Sequence, residues 1–531
     1  MKVHCISYKN TGYFTKTVTD YLSEKPELKP FYNHFPDLKG FKKQLEVKSL
    51  SFRAQSRNLL VNTLKNQYNN FDKSDLLNQN LEILNQENTF TITTGHQLNI
   101  FTGPLYFLYK IVTTINLSKQ LKEKYPNYSF VPVYWMATED HDFEEINYFN
   151  FKEHKIKWNK ESSGAVGRLS TEGLEDVYQA FSNLLGKSEN ASYLKELFKK
   201  SYLKHDNLTD ATRYLVNELF GKYGLVIIDG DCTSLKKQFI SIFKEELLYQ
   251  TSYNEVSKTN KELNSLNYKI QVNPREINLF YLKDALRERI VFENNHFKIN
   301  NTNLVFTKAE ILEELQNFPE RFSPNVLLRG LYQETILPNL CYIGGGGELA
   351  YWFQLKSYFK AASMPFPILL LRNSALLISK KQRMKLDKLH IYLEEIFQKR
   401  ELLIHSKIKE FSEINIDFTK QKEFLIQQFI DLKKIANQTD SSFLGAVNAQ
   451  EKKQLNGLTK LEKRLLKAQK RKLANIVVRI EKLQSELFPN QSLEERTRNF
   501  SEVYEIIGKD LISQLLKNLN PLDLKFTLLE Y

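Results

Sequence analysis

An α/β fold built on an open parallel sheet is what this sequence predicts, and three observations carry the prediction. The first is a strand–helix–strand unit. Thr89-Phe90-Thr91-Ile92-Thr93-Thr94 is β-branched and aromatic, as strands are. Leu105, Leu108, Ile111, Val112, Ile115 and Leu121 then recur at helical spacing, and Ser129 to Met136 is a second apolar strand. The second observation is polar: Gly95-His96-Gln97 follows the first strand and Thr138-Glu139-Asp140-His141-Asp142 the second. The third is a recurrence of short apolar runs at 223–231 and 364–371, the texture of strands buried on both faces. Open α/β sheets have right-handed crossovers and bind ligands beyond the carboxyl ends of their strands. Both polar clusters are therefore expected to face one crevice.

Taken in order, residues 1–88 read as a mostly helical lead-in, through Val18 to Leu22, Phe41 to Leu45 and the run from Phe52 to Leu84. The core is expected at 89–375, with insertions at about 150–221 and 235–325. Within the second insertion Lys269–Val272, Asn278–Leu282, Ile290–Glu293 and Phe297–Ile299 are strand candidates. Ser323 to Arg329 reads as a return to the sheet, with Arg329 at a strand end. Leu340 to Ile343 runs into Gly344-Gly345-Gly346-Gly347-Glu348 and a helix over Leu349 to Ala361. The last core strand, Met364 to Leu371, ends in Arg372-Asn373-Ser374. From residue 376 the texture is long, charged and helical. Leu466, Leu473, Ile480 and Leu487 fall seven apart, with Ile476 and Leu483 in the second register, which makes a coiled-coil seam. Loop signals at Asn437 to Ser442 and near Gly457 imply helices that fold back. An antiparallel α-helical arm is thus expected at 376–487, followed by a C-terminal tail at 488–531.

Composition narrows the function. The 531 residues exceed one ordinary core, and no apolar run approaches the roughly 20 residues that span a bilayer. The N-terminal residues lack the apolar stretch of a signal peptide. Cys5, Cys232 and Cys341 are too few and too scattered for a disulfide framework, and none of them has metal-ligand spacing. A reduced cytoplasm and no metal site are the expectations. The formal net charge of +13 fits solvated, Lys-rich helix faces. The basic run Lys460, Lys463, Arg464, Lys467, Lys470, Arg471, Lys472 is interrupted by Glu462 and has few aromatics for base stacking, so RNA contact is the lesser reading.

The chemistry gathers at the strand ends. His96 and Gln97 sit ahead of a helix N-terminus, where phosphate or carboxylate oxygens can be held. Asp140, His141 and Asp142 form a carboxylate–His–carboxylate run that can hold an amine, orient a general base or take a divalent ion. These five are the candidate catalytic residues. An acidic first helical turn explains Glu144 and Glu145 without any ligand. Thr94, Gly95, Asn99 and Glu139 are candidate substrate-binding neighbours. So are Gly345, Gly346 and Glu348 at the glycine turn, which is not a Walker loop, and Arg329, Arg372 and Asn373 as sources of positive charge.

Several of these stretches together resemble one family. They are Thr94-Gly95-His96-Gln97, Gly103-Pro104, Thr138-Glu139-Asp140-His141-Asp142, Gly224 to Asp231, Ser323 to Arg329, and the glycine turn before Glu348-Leu349-Ala350-Tyr351-Trp352. The chain is similar to the bacillithiol biosynthesis cysteine-adding enzymes over nearly its whole length. The resemblance implies a Rossmann-like nucleotidyltransferase core, akin to class I aminoacyl-tRNA synthetases, with connecting insertions and a coiled-coil arm that forms a homodimer. It implies a ligase that joins L-cysteine to the amino group of glucosaminyl-malate, with carboxyl activation by adenylation and ATP or another nucleotide as cofactor. The chain departs from the synthetase pattern in two places. His96-Gln97 lacks a second His, and Ser379-Lys380-Lys381 stands nearest to the Lys-Met-Ser-Lys-Ser loop. Another phosphorylated donor, or a partner that activates cysteine, therefore stays open. So do a tRNA-linked or nucleotide-transferring enzyme on the same core and a coiled-coil assembly protein with a vestigial pocket.

Overall fold

The computed structural model describes residues 1–52 and 54–531. They form two compact units. The first comprises Met1–Lys9, Tyr13–Leu376 and Glu494–Leu529, and the second Asn10–Gly12, Leu377–Leu493 and Glu530–Tyr531.

The first unit is built on a five-stranded sheet: β1 (Thr89–His96), β2 (Ser129–Met136), β3 (Val226–Asp229), β4 (Asn339–Gly344) and β5 (Ile368–Leu371). All neighbours are parallel, in the order β5-β4-β1-β2-β3. This is the Rossmann order, in which the first strand lies in the middle and the winding reverses beside it. The strand ends are nearly flush, since His96 faces Met136, Met136 faces Asp229, and Gly344 faces Leu371. Whatever follows each strand therefore arrives at one edge.

β1 tolerates burial on both faces because its branched residues suit a pleated sheet and the hydroxyls of Thr91, Thr93 and Thr94 find acceptors. Thr93 donates to Asn339 Oδ1 at 2.8 Å and Thr94 to the Ile343 carbonyl at 2.9 Å. Phe90 and Ile92 join Leu117, Leu121, Phe130, Ile343 and Leu370 in one apolar cluster. Leu117 and Leu121 come from α1 (Tyr106–Lys124), the crossover between β1 and β2.

Several expectations change here. Ser323 to Arg329 is not one strand. Phe322–Pro324 closes the antiparallel sheet of the second insertion, beside Leu279–Lys283. Asn325 then caps α2 (Val326–Ile336), its side chain accepting from the Leu327 and Leu328 amides. A capping Asn after Pro starts a helix, so Arg329 sits on α2 rather than at a strand end. Lys269–Val272 forms no strand; the amides of Gln271 and Val272 donate instead to Gln354 Oε1. The lead-in opens with a strand, Lys2–Ile6. Glu494–Leu529, expected as part of a tail, is built into the first unit. There Asn499 Nδ2 donates to the Phe101 and Gly103 carbonyls at 2.7 and 2.6 Å.

The second unit is helical. Thr419–Ala436 and Ser441–Lys472 run antiparallel, as the ion pairs Lys422–Glu462 and Lys433–Glu451 require. Leu425, Phe429, Ala436, Leu444 and Val447 fill the gap between them. The helix passes straight through Gly457, where a fold-back was expected. The seven-residue seam is not continuous. The chain leaves helical geometry at Leu473 (φ −101°, ψ 29°) before Ala474–Leu487 resumes, and Ile480, Leu483 and Leu487 are buried within their own unit. Among the described residues no helix is long and apolar enough to cross a membrane.

One buried ion pair tests the packing of the first unit. Lys48 Nζ lies 2.5 Å from Glu334, and both side chains are at most 2% exposed. Lys48→Met leaves a buried carboxylate uncompensated and is expected to cost about 3–5 kcal/mol of stability. Adding Glu334→Gln should recover most of that loss, because the neutral amide no longer needs a cation. Urea unfolding followed by tryptophan fluorescence reads both.

Candidate active site

Beyond the ends of β1, β2 and β4 lies a cavity of about 780 Å³. Its floor is Gly95–Gln97 and Ala137–His141, and one side is the turn Gly345–Glu348 leading into α3 (Gly346–Gln354). The second insertion supplies Arg275, Arg287 and Arg289, and α2 supplies Arg329.

Lys110 organises the floor. It is only 4% exposed on α1, donates to the Gly95 carbonyl at 2.7 Å and pairs with Glu348 at 2.6 Å. Burial alone would raise the Glu348 pKa. Lys110, the Gly345 amide and the Tyr342 hydroxyl outweigh it, so the carboxylate is held below its ordinary range. Gly95 has no side chain to obstruct this arrangement. A Cβ there would lie 3.4 Å from Arg329 Nη1 and 3.5 Å from the Tyr342 hydroxyl, so the glycine lets the guanidinium approach the strand end.

His96 ends β1 with its rings neighbours Tyr106 and Phe107 at 5.4 and 5.1 Å. Burial, then the charges of Lys110 and Arg372, push its pKa well below 6.5. The imidazole is neutral at pH 7, and its buried Nε2 has no partner. Next to it, Gln97 Nε2 donates at 2.8 Å to both Asp140 Oδ2 and Glu145 Oε2, holding two carboxylates around one amide. Burial would raise the Asp140 pKa, but hydrogen bonds from His141 and Gln97, with Arg287 nearby, hold it far below the usual range. Arg287 Nη1 lies 2.6 Å from His141 Nδ1 and, having no acceptor, must donate there. Glu139 is paired with buried Lys236 at 2.6 Å, and burial raises its pKa against that pairing.

The structure brings His96, Gln97, Asp140 and His141 to one cavity, together with Gly95, Glu139, Arg329, Gly345, Gly346, Glu348 and Arg372. Other candidates fall elsewhere. Asp142 is exposed at the N-cap of the short helix Phe143–Ile146 and does not line the cavity, because burial of Phe143 turns it to solvent. Thr94, one pleat earlier than Gly95, spends its hydroxyl on the sheet. Asn373 is occupied by Thr113 and by the Asn520 carbonyl. Arg372 reaches the cavity, but its Nη2 is paired with Glu495 at 2.8 Å and its Nη1 is bonded to Asn373 and Ser374. Only its Nε lacks a partner, so it has no fork left for a carboxylate. Asn99 lines a smaller adjoining lobe.

Lys110, Tyr106, Arg275, Arg287, Arg289 and Arg496 are lining residues that the sequence did not single out. Lys110 left a signal: one lysine among Leu108, Ile111 and Val112 in an apolar helix. The arginines left none, since each belongs to a segment far from the motifs.

His96 gives a pH prediction. An unfolded chain protonates it near pH 6.5, while the folded chain resists, so stability should fall as pH drops below about 6.5. The loss should grow as the pH is lowered further, and His96→Asn should lack it. Denaturant unfolding of both proteins between pH 7.5 and 5.5 checks the difference.

Comparison with known proteins agrees with this architecture. Residues 1–373 match the family model described as Bacillithiol biosynthesis BshC, N-terminal Rossmann-like domain, and residues 375–531 its C-terminal coiled-coil domain. Relatives named "Putative cysteine ligase BshC" include those of Flavobacterium johnsoniae, 58% identical, and Flavobacterium psychrophilum, 57% identical, each over 100% of both chains. The Cytophaga hutchinsonii relative of the same name is 37% identical over 98% of this chain and 97% of its own. With both units matched and full-length relatives at this identity, the chain belongs to the bacillithiol biosynthesis BshC family.

Proposed function

We propose that this chain is a ligase that joins the carboxyl of L-cysteine to the amino group of glucosaminyl-malate, completing bacillithiol in the cytoplasm. The name carried by its relatives suggests cysteine ligation. The observation that carries the reading is the meeting, in one cavity, of a neutral histidine, two bridged carboxylates and arginines without ion pairs.

Amide formation needs a carboxyl with a leaving group, and a phosphorylated donor such as ATP would supply it. Arg275, Arg289 and Arg329 are the residues that would hold its anionic part, with the Gly345–Gly347 turn alongside. Arg329 donates to the Tyr351 hydroxyl at 2.8 Å, and neither Arg275 nor Arg289 has an ion pair with a described residue. The chain's own groups then act on the amine. Asp140, ionised and fixed by Gln97, orients it, and His96 Nε2 takes the proton as the nitrogen–carbon bond forms and the bond to the leaving oxygen breaks.

Two copies are inferred to pair through the second unit. Phe424, Leu432 and Ile435 share one side of the helix Thr419–Ala436 and are 73%, 43% and 56% exposed. Such a stripe on a charged helix is a natural seam. Phe424→Glu with Ile435→Glu should give monomers by light scattering without loss of helix content, unlike a charge at buried Ile480.

The reaction is tested by thiol profiling of cells with and without this chain. Loss of bacillithiol with accumulation of glucosaminyl-malate is expected. His96→Asn and Asp140→Asn should each lower turnover by roughly 10²–10⁴-fold. Unchanged thiols, or full activity in both variants, would overturn the proposal.

A further inference from the structure

The cavity continues into a second lobe of about 330 Å³, and the two share Gln97, Tyr106, Glu145 and Arg496. We infer that this lobe is the seat of a hydroxyl-rich amine that carries a carboxylate, with its amino group at the shared wall and its carboxylate on Arg496. The inference rests on the reaction proposed above and assigns the acceptor to one half of the site.

Three features point to such an occupant. The first is Asn99, which lines the lobe and is 9% exposed. Its Nδ2 donates to the Glu145 carbonyl at 2.9 Å, which fixes the amide orientation and leaves the buried Oδ1 as an acceptor without a partner. A buried acceptor of this kind calls for a hydroxyl or ammonium donor. The second is Arg496, which makes no ion pair with any described residue although its neighbours Glu495 and Glu494 pair with Arg372 and Arg498. It is the lobe's cation, and a guanidinium binds a carboxylate through two parallel bonds. The third is the shared wall itself, where Gln97 draws Glu145 toward Asp140. An amine there lies between two carboxylates and beside Tyr106, whose ring neighbours His96.

The lobe is also rigid. Phe101, Thr102 and Gly103 all have positive φ, at 49°, 68° and 60°. That backbone is locked by the Tyr202 hydroxyl, which accepts from the Phe101 amide at 2.7 Å, and by Asn499. A preformed wall of fixed polar groups suits a sugar, whose hydroxyls need defined partners. Tyr148 and Asn150 complete the polar lining. The larger cavity, with its further arginines, is left to cysteine and the activating donor.

Isothermal titration of the full-length chain tests the assignment with three probes: glucosaminyl-malate, methyl glucosaminide and L-cysteine. The unmodified chain should bind glucosaminyl-malate at least tenfold more tightly than methyl glucosaminide, which has no carboxylate. Arg496→Gln should erase that preference and leave cysteine affinity unchanged, while Arg289→Gln, in the larger cavity only, should keep it. If Arg496→Gln retains the preference, or Arg289→Gln removes it, the acceptor does not sit in this lobe. If the unmodified chain takes up neither glucosaminide, the proposed reaction itself falls, and the lobe assignment with it.

Discussion

Lys110 ties the site to the fold. Its ammonium joins the carbonyl at the end of β1 to the carboxylate that opens α3 after β4, the two strands on either side of the point where the winding reverses. A crevice at that point exists in any sheet of this order. What makes it a defined site is that its two lips cannot drift apart without separating a buried charge pair. The same contact has an electrostatic consequence, since a cation so close to His96 helps keep the imidazole neutral. One lysine thus fixes the two lips of the crevice and adds to the burial that keeps the group at its base neutral.

The charged groups of the cavity divide into committed pairs and groups with no ion pair among the described residues. Asp140 and Glu145 are drawn together by one amide, whereas Arg275, Arg289 and Arg329 approach from the second insertion and α2. Two other arginines are already committed: Arg372 to Glu495, and Arg287 to His141. The committed pairs hold segments in place, and the uncommitted guanidinia are left for anions.

The walls come from segments distant in sequence. The loop between β1 and α1 holds Phe101 in a left-handed conformation that costs of order 1–3 kcal/mol for a residue with a side chain. Its ring is buried among Phe149, Phe181, Phe198 and Phe500 at 5.1–5.6 Å, which offsets that strain. Phe500 belongs to the C-terminal segment, so the end of the chain stabilises a loop formed near its beginning.

How much of this was legible beforehand follows from the range of the forces involved. Strand and helix periodicity are local, and so β1, α1, β2, β3 and β5 could be read from residues 89–136, 223–231 and 364–371. The clusters at 95–97 and 138–141 were legible for the same reason, because a parallel sheet sends every strand end to one edge. Asn325 misled, since a cap after Pro outweighs the apolar run that follows it. The heptad at 466–487 misled too, because hydrophobic spacing does not reveal a helix break at Leu473 or say whether the partner is in the same chain. The sequence by itself determined the sheet, the crevice and the residues at its floor. Only the tertiary structure decided which charges were free: that Arg372 is neutralised by Glu495, that Lys110 holds Glu348, and that Arg496 reaches the cavity at all. Charge pairing is a property of distance in space, and no spacing along the chain encodes it.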